Sequence, residues 1–403
     1  MAELLPQRHP SRAGYLGTTV ILAGLAMVGP FSINTYLPSF GEMAVVLGTD
    51  RTALQQTVSI YFASFAFMAL WHGSISDSLG RRRVVLVGLA VYALTSLGCA
   101  LATRVEQLWV LRAFQGFSAG AGIVIGRAVV RDLHEGPLAQ RMMSHVVMMF
   151  GLAPAIAPLV GGWLQAAFGW RSVFIFLCLL ALSLFVAVAV RLPETLPPEK
   201  RQPFNFSALA RGYAGVFGSL PFMTWAMAYA CMFGGFFVYV LSAPVFLMQH
   251  LGLGETDFLW LFGPATGGLM LGSALAGRVA QRWSLPTTLK CAFLIMGCAM
   301  CYDIVVCFIA PAGVTWYVIH IFVFNLGMSL AIPTLTVRGL DCVPERRGMA
   351  SSVQLFVQTA FNALIAAVLA PLLWGSLLSL ALGAAGLCLC AGLGVLLAAR
   401  LSK

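Results

Sequence analysis

The sequence predicts an all-α integral membrane protein of twelve transmembrane helices, and three observations carry that prediction. The first is composition. Of 403 residues, 60% are hydrophobic and 9% charged, with a mean hydropathy of +0.90; a soluble domain carries about 25% charged residues. So few charges cannot cover a surface that faces water, and lipid must be the solvent for much of the exterior. In lipid only helices and closed barrels satisfy every backbone N–H and C=O group. The second is pattern: the apolar stretches are continuous and do not alternate with period two, which selects helices. The third is where the basic residues fall.

A span needs about 20 apolar residues. The first run, about 15–40, is too long for a signal-peptide core and lacks a small-residue cleavage site, so it reads as a retained span. Five more follow at about 53–72, 84–102, 108–130, 143–166 and 172–190. A polar, proline-rich stretch, 191–217, then interrupts the pattern with Arg191, Lys200, Arg201 and Arg211. Beyond it lie runs at about 218–248, 257–277, 289–310, 314–337, 349–372 and 377–399. The chain thus divides into a six-span half (1–190), a linker (191–217) and a second six-span half (218–403).

With the N-terminus inside, twenty of the 24 Lys and Arg residues, Arg8 and Lys403 among them, fall in cytoplasmic segments. Arg51, Arg104 and Arg171 fall outside, and Arg112 lies within a span. So lopsided a split places both termini and the linker in the cytoplasm. The net charge of +10 therefore reports topology, and no nucleic-acid partner is expected. A faint repeat joins the halves: Pro38 ends Tyr36-Leu37-Pro38 and Pro244 ends Ser242-Ala243-Pro244, while Gly73 and Gly277 each open a loop. Two such halves with a site between them is a transporter plan.

The segment after span 2 reads Gly73-Ser-Ile-Ser-Asp77-Ser-Leu-Gly80-Arg81-Arg82-Arg83. Positive-inside bias explains its arginines but not the spacing of Gly73, Asp77 and Gly80, and a lone acid in a basic loop implies a specific partner. This segment resembles the signature loop of the major facilitator superfamily. Arg112-Ala-Phe-Gln115-Gly116 resembles that family's second motif. Pro154 and Ala157-Pro158-Leu-Val-Gly161-Gly162 resemble its antiporter motif, with Ala where many members have Gly. Tyr36-Leu37-Pro38 and the linker from Glu194 to Pro203 look like the bicyclomycin-resistance (Bcr/CflA) subfamily of drug exporters. The resemblance covers essentially the whole chain. It implies proton-driven export of small amphipathic molecules by alternating access, from the inner membrane of a bacterium, by a monomer without a cofactor. An importer or facilitator of the same fold is the alternative, and a non-transporting sensor a distant one.

Several site residues follow from the resemblance. It implies that Asp77 latches the halves together when the cytoplasmic side is closed, with Gly73, Gly80, Arg81 and Arg82 shaping the segment. Physics fits: span 11 begins on the cytoplasmic side, and a helix N-terminus carries partial positive charge. Arg112, the one basic residue deep in a span, is a candidate for coupling protons or substrate to conformation, because a charge there costs at least about 2.5 kcal/mol. The subfamily usually has an acid just before Tyr-Leu-Pro, and here Asn34, which cannot titrate, stands in that region. The remaining candidates for proton coupling are Glu42, Asp303 and His320, with span 9, which carries Asp303, expected at the periphery.

Helical spacing suggests cavity walls. Gln354, Gln358 and Asn362 lie at i, i+4 and i+8. Aromatic residues including Tyr229, Phe236 and Tyr239 on span 7, and Tyr61 on span 2, join them with Asn34, Tyr36 and Gln115; the bland reading of each stripe is helix packing. With no acid at position 34, neutral or anionic substrates are expected over lipophilic cations. Two motifs are decoys. Gly116-Phe-Ser118-Ala-Gly120 fits a hydrolase elbow but lies mid-span, where small residues serve packing. Asn205-Phe-Ser207 fits a glycosylation sequon on the wrong side of the membrane. Cys298-x-x-Cys301, inside a span, reads as small apolar packing and not as a metal site. Nothing resembles a catalytic triad, a metal ligand set or a phosphate loop, so no enzyme activity is expected.

Overall fold

The computed structural model describes residues 12–279, 282–309 and 313–402. Arg8 and Lys403 lie outside them. Among the described residues all regular structure is helical. Twelve helices carry the spans: α1 (Arg12–Asn34), α2 (Arg51–Ala69), α3 (Arg81–Leu101), α4 (Val105–Leu133), α5 (Gly136–Phe168), α6 (Trp170–Arg191), α7 (Leu220–Leu241), α8 (Leu259–Val279), α9 (Leu285–Ile309), α10 (Val314–Asp341), α11 (Arg347–Leu364) and α12 (Leu377–Leu401). Eleven spans are each long and apolar enough to cross a membrane; the twelfth is α2 together with His72–Leu79, bent by 50° at the intervening break. Two expected loops are therefore helix: Gly73 lies within His72–Leu79, and Gly277 lies within α8.

The spanning helices form two bundles of six. In the first, α1 lies against α4, α5 and α6, while α4 also holds α2 and α3. In the second, α7 lies against α10, α11 and α12, and α10 holds α8 and α9. The halves meet along α2 with α11 and along α5 with α8. Small residues set the close approaches: a Cβ at Gly116 would come within 2.3 Å of the Tyr61 carbonyl oxygen, so the hydrolase-like motif is a contact between α4 and α2. The outer surface exposes Val87, Leu94, Leu179, Phe308 and Leu389, the apolar side chains a lipid-facing wall needs. Cys298 and Cys301 are exposed as well, so they do not fill a packed interior as expected.

The two ends of the molecule differ. At the face remote from the termini, here the far face, three spans lose regular helix. After α1 the chain makes a short turn, Leu37–Ser39, with Pro38 inside it. A wider π-helical segment, Pro244–His250, follows α7, and another, Ile365–Leu369, follows α11. Proline supplies no N–H, and the side chains of α2 make use of that. Ala367 would normally accept from residue 371, which is Pro371, and Gln56 Nε2 donates to its carbonyl instead at 3.2 Å. Gln55 Nε2 donates to the Leu241 carbonyl at 3.1 Å, where α7 ends.

At the opposite, terminal face the linker holds a helix that its polar composition concealed, Phe206–Phe217. Asn205 caps it, accepting from Ala208 N at 3.0 Å; the sequon-like asparagine is a cap. The helix is amphipathic and buries Leu209, Tyr213 and Val216 in a small apolar cluster with Phe222 of α7 and Val353 of α11. Tyr213 also reaches the first half, donating to the Leu70 carbonyl at 2.6 Å. Beside it Trp71 stacks on Phe206, centroids 5.5 Å apart. The linker thus rests on the second half and holds the break in the first.

Candidate functional site

The signature segment is organised by Arg81 more than by Asp77. Arg81, 9% exposed, pairs with Asp77 one turn back, donates through Nη1 to Ser76 Oγ at 2.6 Å and through Nε to Asp132 Oδ2 at 3.2 Å. Gly80 permits this fold-back, since its φ of +97° lies in the region that L side chains avoid. Glu194, first acid of the linker, crowns the start of α3: its carboxylate accepts from Arg81 N at 2.9 Å and Arg82 N at 3.3 Å. That is where a negative charge best meets the helix dipole. Arg82 in turn donates to the Ala189 carbonyl of α6. The Asp77 carboxylate thus faces Arg81 and not the N-terminus of α11. The sequence does not single out Asp132, and it marks Glu194 only as the start of the linker segment that resembles the subfamily, with no role. The signal was present: both are acids on a basic face, the argument already applied to Asp77.

The first buried centre surrounds Arg112, which is 0% exposed. Its guanidinium lies between the faces of Tyr36 and Tyr61, 4.6 and 4.4 Å from the ring centroids. Nη1 donates to Gln115 Oε1 at 2.7 Å, and Gln115 Nε2 donates to Ser96 Oγ at 2.7 Å. Among the described residues, Nε and the second terminal nitrogen have no hydrogen-bond partner, and no carboxylate pairs with the group. Asn34, buried nearby at the end of α1, donates to the Pro30 carbonyl at 3.0 Å and leaves its own Oδ1 unpartnered. The structure therefore gathers Tyr36, Tyr61, Arg112 and Gln115 into one unit. Two cation–π contacts, each about 2 kcal/mol when desolvated, hold a charge that has no counter-ion among the described residues.

The second centre joins residues that the sequence left apart. Asp303 of α9 is 2% exposed and His320 of α10 is 1% exposed. Tyr239 of α7 donates to Asp303 Oδ2, and His320 Nδ1 lies 3.1 Å from Oδ1. The Tyr239 and His320 rings are 4.7 Å apart. The imidazole contact is skewed, so neither ring nitrogen has a well-aligned hydrogen bond. Helix α9 is peripheral as expected, held by α10 and α12, yet it turns its acid inward. Beside this centre is a cavity of about 10 Å³ lined by Phe236, Tyr239, Met300, His320 and Asn325, room for about one water molecule.

The other candidates separate by task. Glu42 caps α6: its Oε2 accepts from Trp170 N at 3.0 Å and from Gln165 Nε2. Pro154 and Pro158 lie inside α5. The glycines of the same motif are contact points, with a Cβ at Gly161 overlapping the Thr35 backbone, and one at Gly162 coming within 2.4 Å of the Glu255 carbonyl oxygen in the other half. Tyr229 stacks on Phe233, which touches Phe237, which touches Phe62 of the first half. Gln354 turns to Thr336 of α10 at 3.4 Å, Gln358 is half-buried, and Asn362 is buried with Oδ1 unpartnered. The α11 stripe does not converge on either charged centre.

Comparison with known proteins fits this architecture. Residues 20–368 match the model of the Major Facilitator Superfamily. An uncharacterized MFS-type transporter of Bacillus subtilis, YdgK, is 29% identical over 347 residues, 86% of each chain. The bicyclomycin resistance protein homolog of Haemophilus influenzae is 30% identical over 271 residues, 67% of this chain and 68% of that one. Among solved structures, the nucleoside transporter NupG, solved as a point mutant, superposes with a TM-score of 0.72 over 97% of this chain and all of its own, at 14% identity, a likeness of fold alone. The chain is a multi-pass membrane transporter, not an enzyme, and it belongs to the Major Facilitator Superfamily, where it is of the bicyclomycin-resistance (Bcr/CflA) type.

Proposed function

We propose that the chain exports small amphipathic molecules in exchange for protons, by alternating access, as a monomer in the cytoplasmic membrane of a bacterium. One observation carries the alternating-access reading: among the described residues, both hydrogen bonds that join spanning helices of the two halves lie at the far face, from Gln55 and Gln56. A carrier whose spanning helices are hydrogen-bonded across the halves at one end only, with the linker contact of Tyr213 to Leu70 left to yield at the other, has the two-state element that such transport requires. The distribution of Lys and Arg favours a cytoplasmic terminal face, so this is the state that receives substrate from the cytoplasm. It also explains why Asp77 faces Arg81. When the cytoplasmic side closes, Asp77 exchanges that partner for the N-terminus of α11, a contact worth about 0.3–2 kcal/mol. Arg112 without a carboxylate, and Asn34 without a charge, favour neutral or anionic substrates. The name of the Haemophilus relative, which refers to bicyclomycin resistance, supplies the first compound to test.

The test is reconstitution of the whole chain into liposomes with an internal pH dye. Bicyclomycin, an anionic amphipath and a permanently cationic dye are added in turn. Proton movement evoked by either of the first two supports antiport. Tracer flux with no proton movement would make the protein a facilitator. Saturable export of the cationic dye would overturn the charge preference.

A further inference from the structure

We propose that Tyr239, Asp303 and His320 form the site of the coupling proton, with Asp303 its carrier, so that the proton is held in the second half and not beside position 34. The inference rests on the antiport reading above and supplies the group that reading lacks. Asp303 is the one acid among the described residues that lies in the interior of a spanning helix and not near a helix end or in a loop. An ionised carboxylate in that position is costly unless partnered. Its partners are few and can be named. From α7 comes Tyr239; from α10 come His320 and Tyr317; α9 itself adds Tyr302 and Cys307; and α12 offers only Cys388 and Cys390 before Arg400. Lys290, Arg338 and Arg400 lie toward the terminal-face ends of their helices, away from it. Among the described residues no fixed positive charge therefore holds Asp303 ionised. One hydroxyl donor, Tyr239, and an imidazole within 3.1 Å can accommodate either form, which is what a site that must load and unload needs.

The geometry also supplies a route. His320 lies against Asp303 Oδ1 and lines the adjoining cavity, and its Nε2 is buried without a partner. The cavity's other wall is Phe236, next in sequence to Phe237, whose ring meets Phe62 of the first half. The triad is therefore separated from the interface of the halves by little more than one layer of side chains. The imidazole can take a proton on one nitrogen and release one from the other. Loading forms an O–H bond on Asp303 with a proton that arrives from water by way of His320, and the carboxylate becomes neutral. Unloading breaks that bond and returns the proton to water on the other side; Tyr239 keeps its own proton throughout.

Two measurements on the full-length protein test this. Infrared difference spectra recorded against pH should show a carboxylic-acid band that grows as pH falls, that is lost in Asp303→Asn and that persists in Glu42→Gln. In Tyr239→Phe the ionised form loses a hydrogen bond, so the midpoint should rise by about one pH unit. In liposomes, bicyclomycin movement driven by a pH gradient should fall by about tenfold or more in Asp303→Asn, while exchange of labelled for unlabelled bicyclomycin at equal pH persists. A band unchanged in Asp303→Asn, or gradient-driven transport that survives the substitution, overturns the triad and leaves antiport standing. A wild type that exchanges bicyclomycin but ignores the gradient overturns antiport, and the triad falls with it. If Asp303→Asn does not fold, or bicyclomycin is not carried, the midpoint in Tyr239→Phe decides: an unmoved midpoint sinks the proposal.

Discussion

At the scale of single residues the molecule is unusual for where it keeps charge. Arg112 is fully buried with no carboxylate beside it among the described residues, so its desolvation is offset there by two aromatic faces and one glutamine. Replacing buried ionic groups by apolar ones of similar volume is often neutral or stabilising. Arg112→Met is therefore expected to raise the unfolding free energy in detergent by about 1 kcal/mol or more, while transport of whatever substrate the liposome assay identifies falls. A loss of stability would mean that the contacts with Tyr36 and Tyr61 outweigh desolvation. Arg112 could be picked out from the sequence because a lone arginine in an apolar run needs no partner to be noticed. The triad could not be assembled in the same way. Tyr239, Asp303 and His320 are each visible, but their meeting depends on the rotation of three helices about their axes. The apolar surround of α9 gives that rotation almost no periodicity to read.

At the scale of elements, hydropathy finds every span, because lipid demands a continuous apolar run and the run is a local property. It misses the breaks. Signals for them were at hand in Pro38, Pro244 and Pro371, but a proline in a membrane helix is tolerated wherever neighbours satisfy the freed groups, so sequence alone does not say which will break. The linker helix was hidden for the opposite reason: its apolar face is short and sits among polar residues. The contact between the α5 motif and the loop after α7 yields a further prediction. Gly162 has no room for a side chain, since a Cβ would come within 2.4 Å of the Glu255 carbonyl oxygen, and backbone cannot yield as a side-chain tip can. Gly162→Ala should strain the far face by about 1–3 kcal/mol. A cysteine placed at Leu253 should then react about tenfold faster with a membrane-impermeant maleimide, a factor that about 1.4 kcal/mol corresponds to. An unchanged rate would mean that the far face does not rely on this contact.

At the scale of the whole molecule, the far face brings two carboxylates from opposite halves under one another's influence. Glu42 caps α6 in the first half, and Glu255 lies in the loop after α7 in the second, its backbone against Gly162. Partial burial, and then the nearby Glu42 carboxylate, raise the Glu255 pKa above its ordinary value. When the far face opens, Glu255 returns to water and moves away from Glu42, and its pKa falls back. The closed state therefore binds protons more tightly than the open one, and acid favours closure. Closure assisted by the protonated group is present below the raised pKa and is lost as pH rises through it. In the proposed orientation, with the terminal face in the cytoplasm, the far face meets the acidic side of a membrane whose gradient drives protons inward, so that gradient would bias this end shut. Glu255 is partly exposed, and solvent screening keeps the effect modest. Spin labels at the far ends of α1 and α7 should report a closed fraction that falls as pH is raised through the elevated Glu255 pKa, and Glu255→Gln should flatten that dependence toward the closed limit. A closed fraction that rises with pH, or a slope that survives in Glu255→Gln, would place the pH response in other groups.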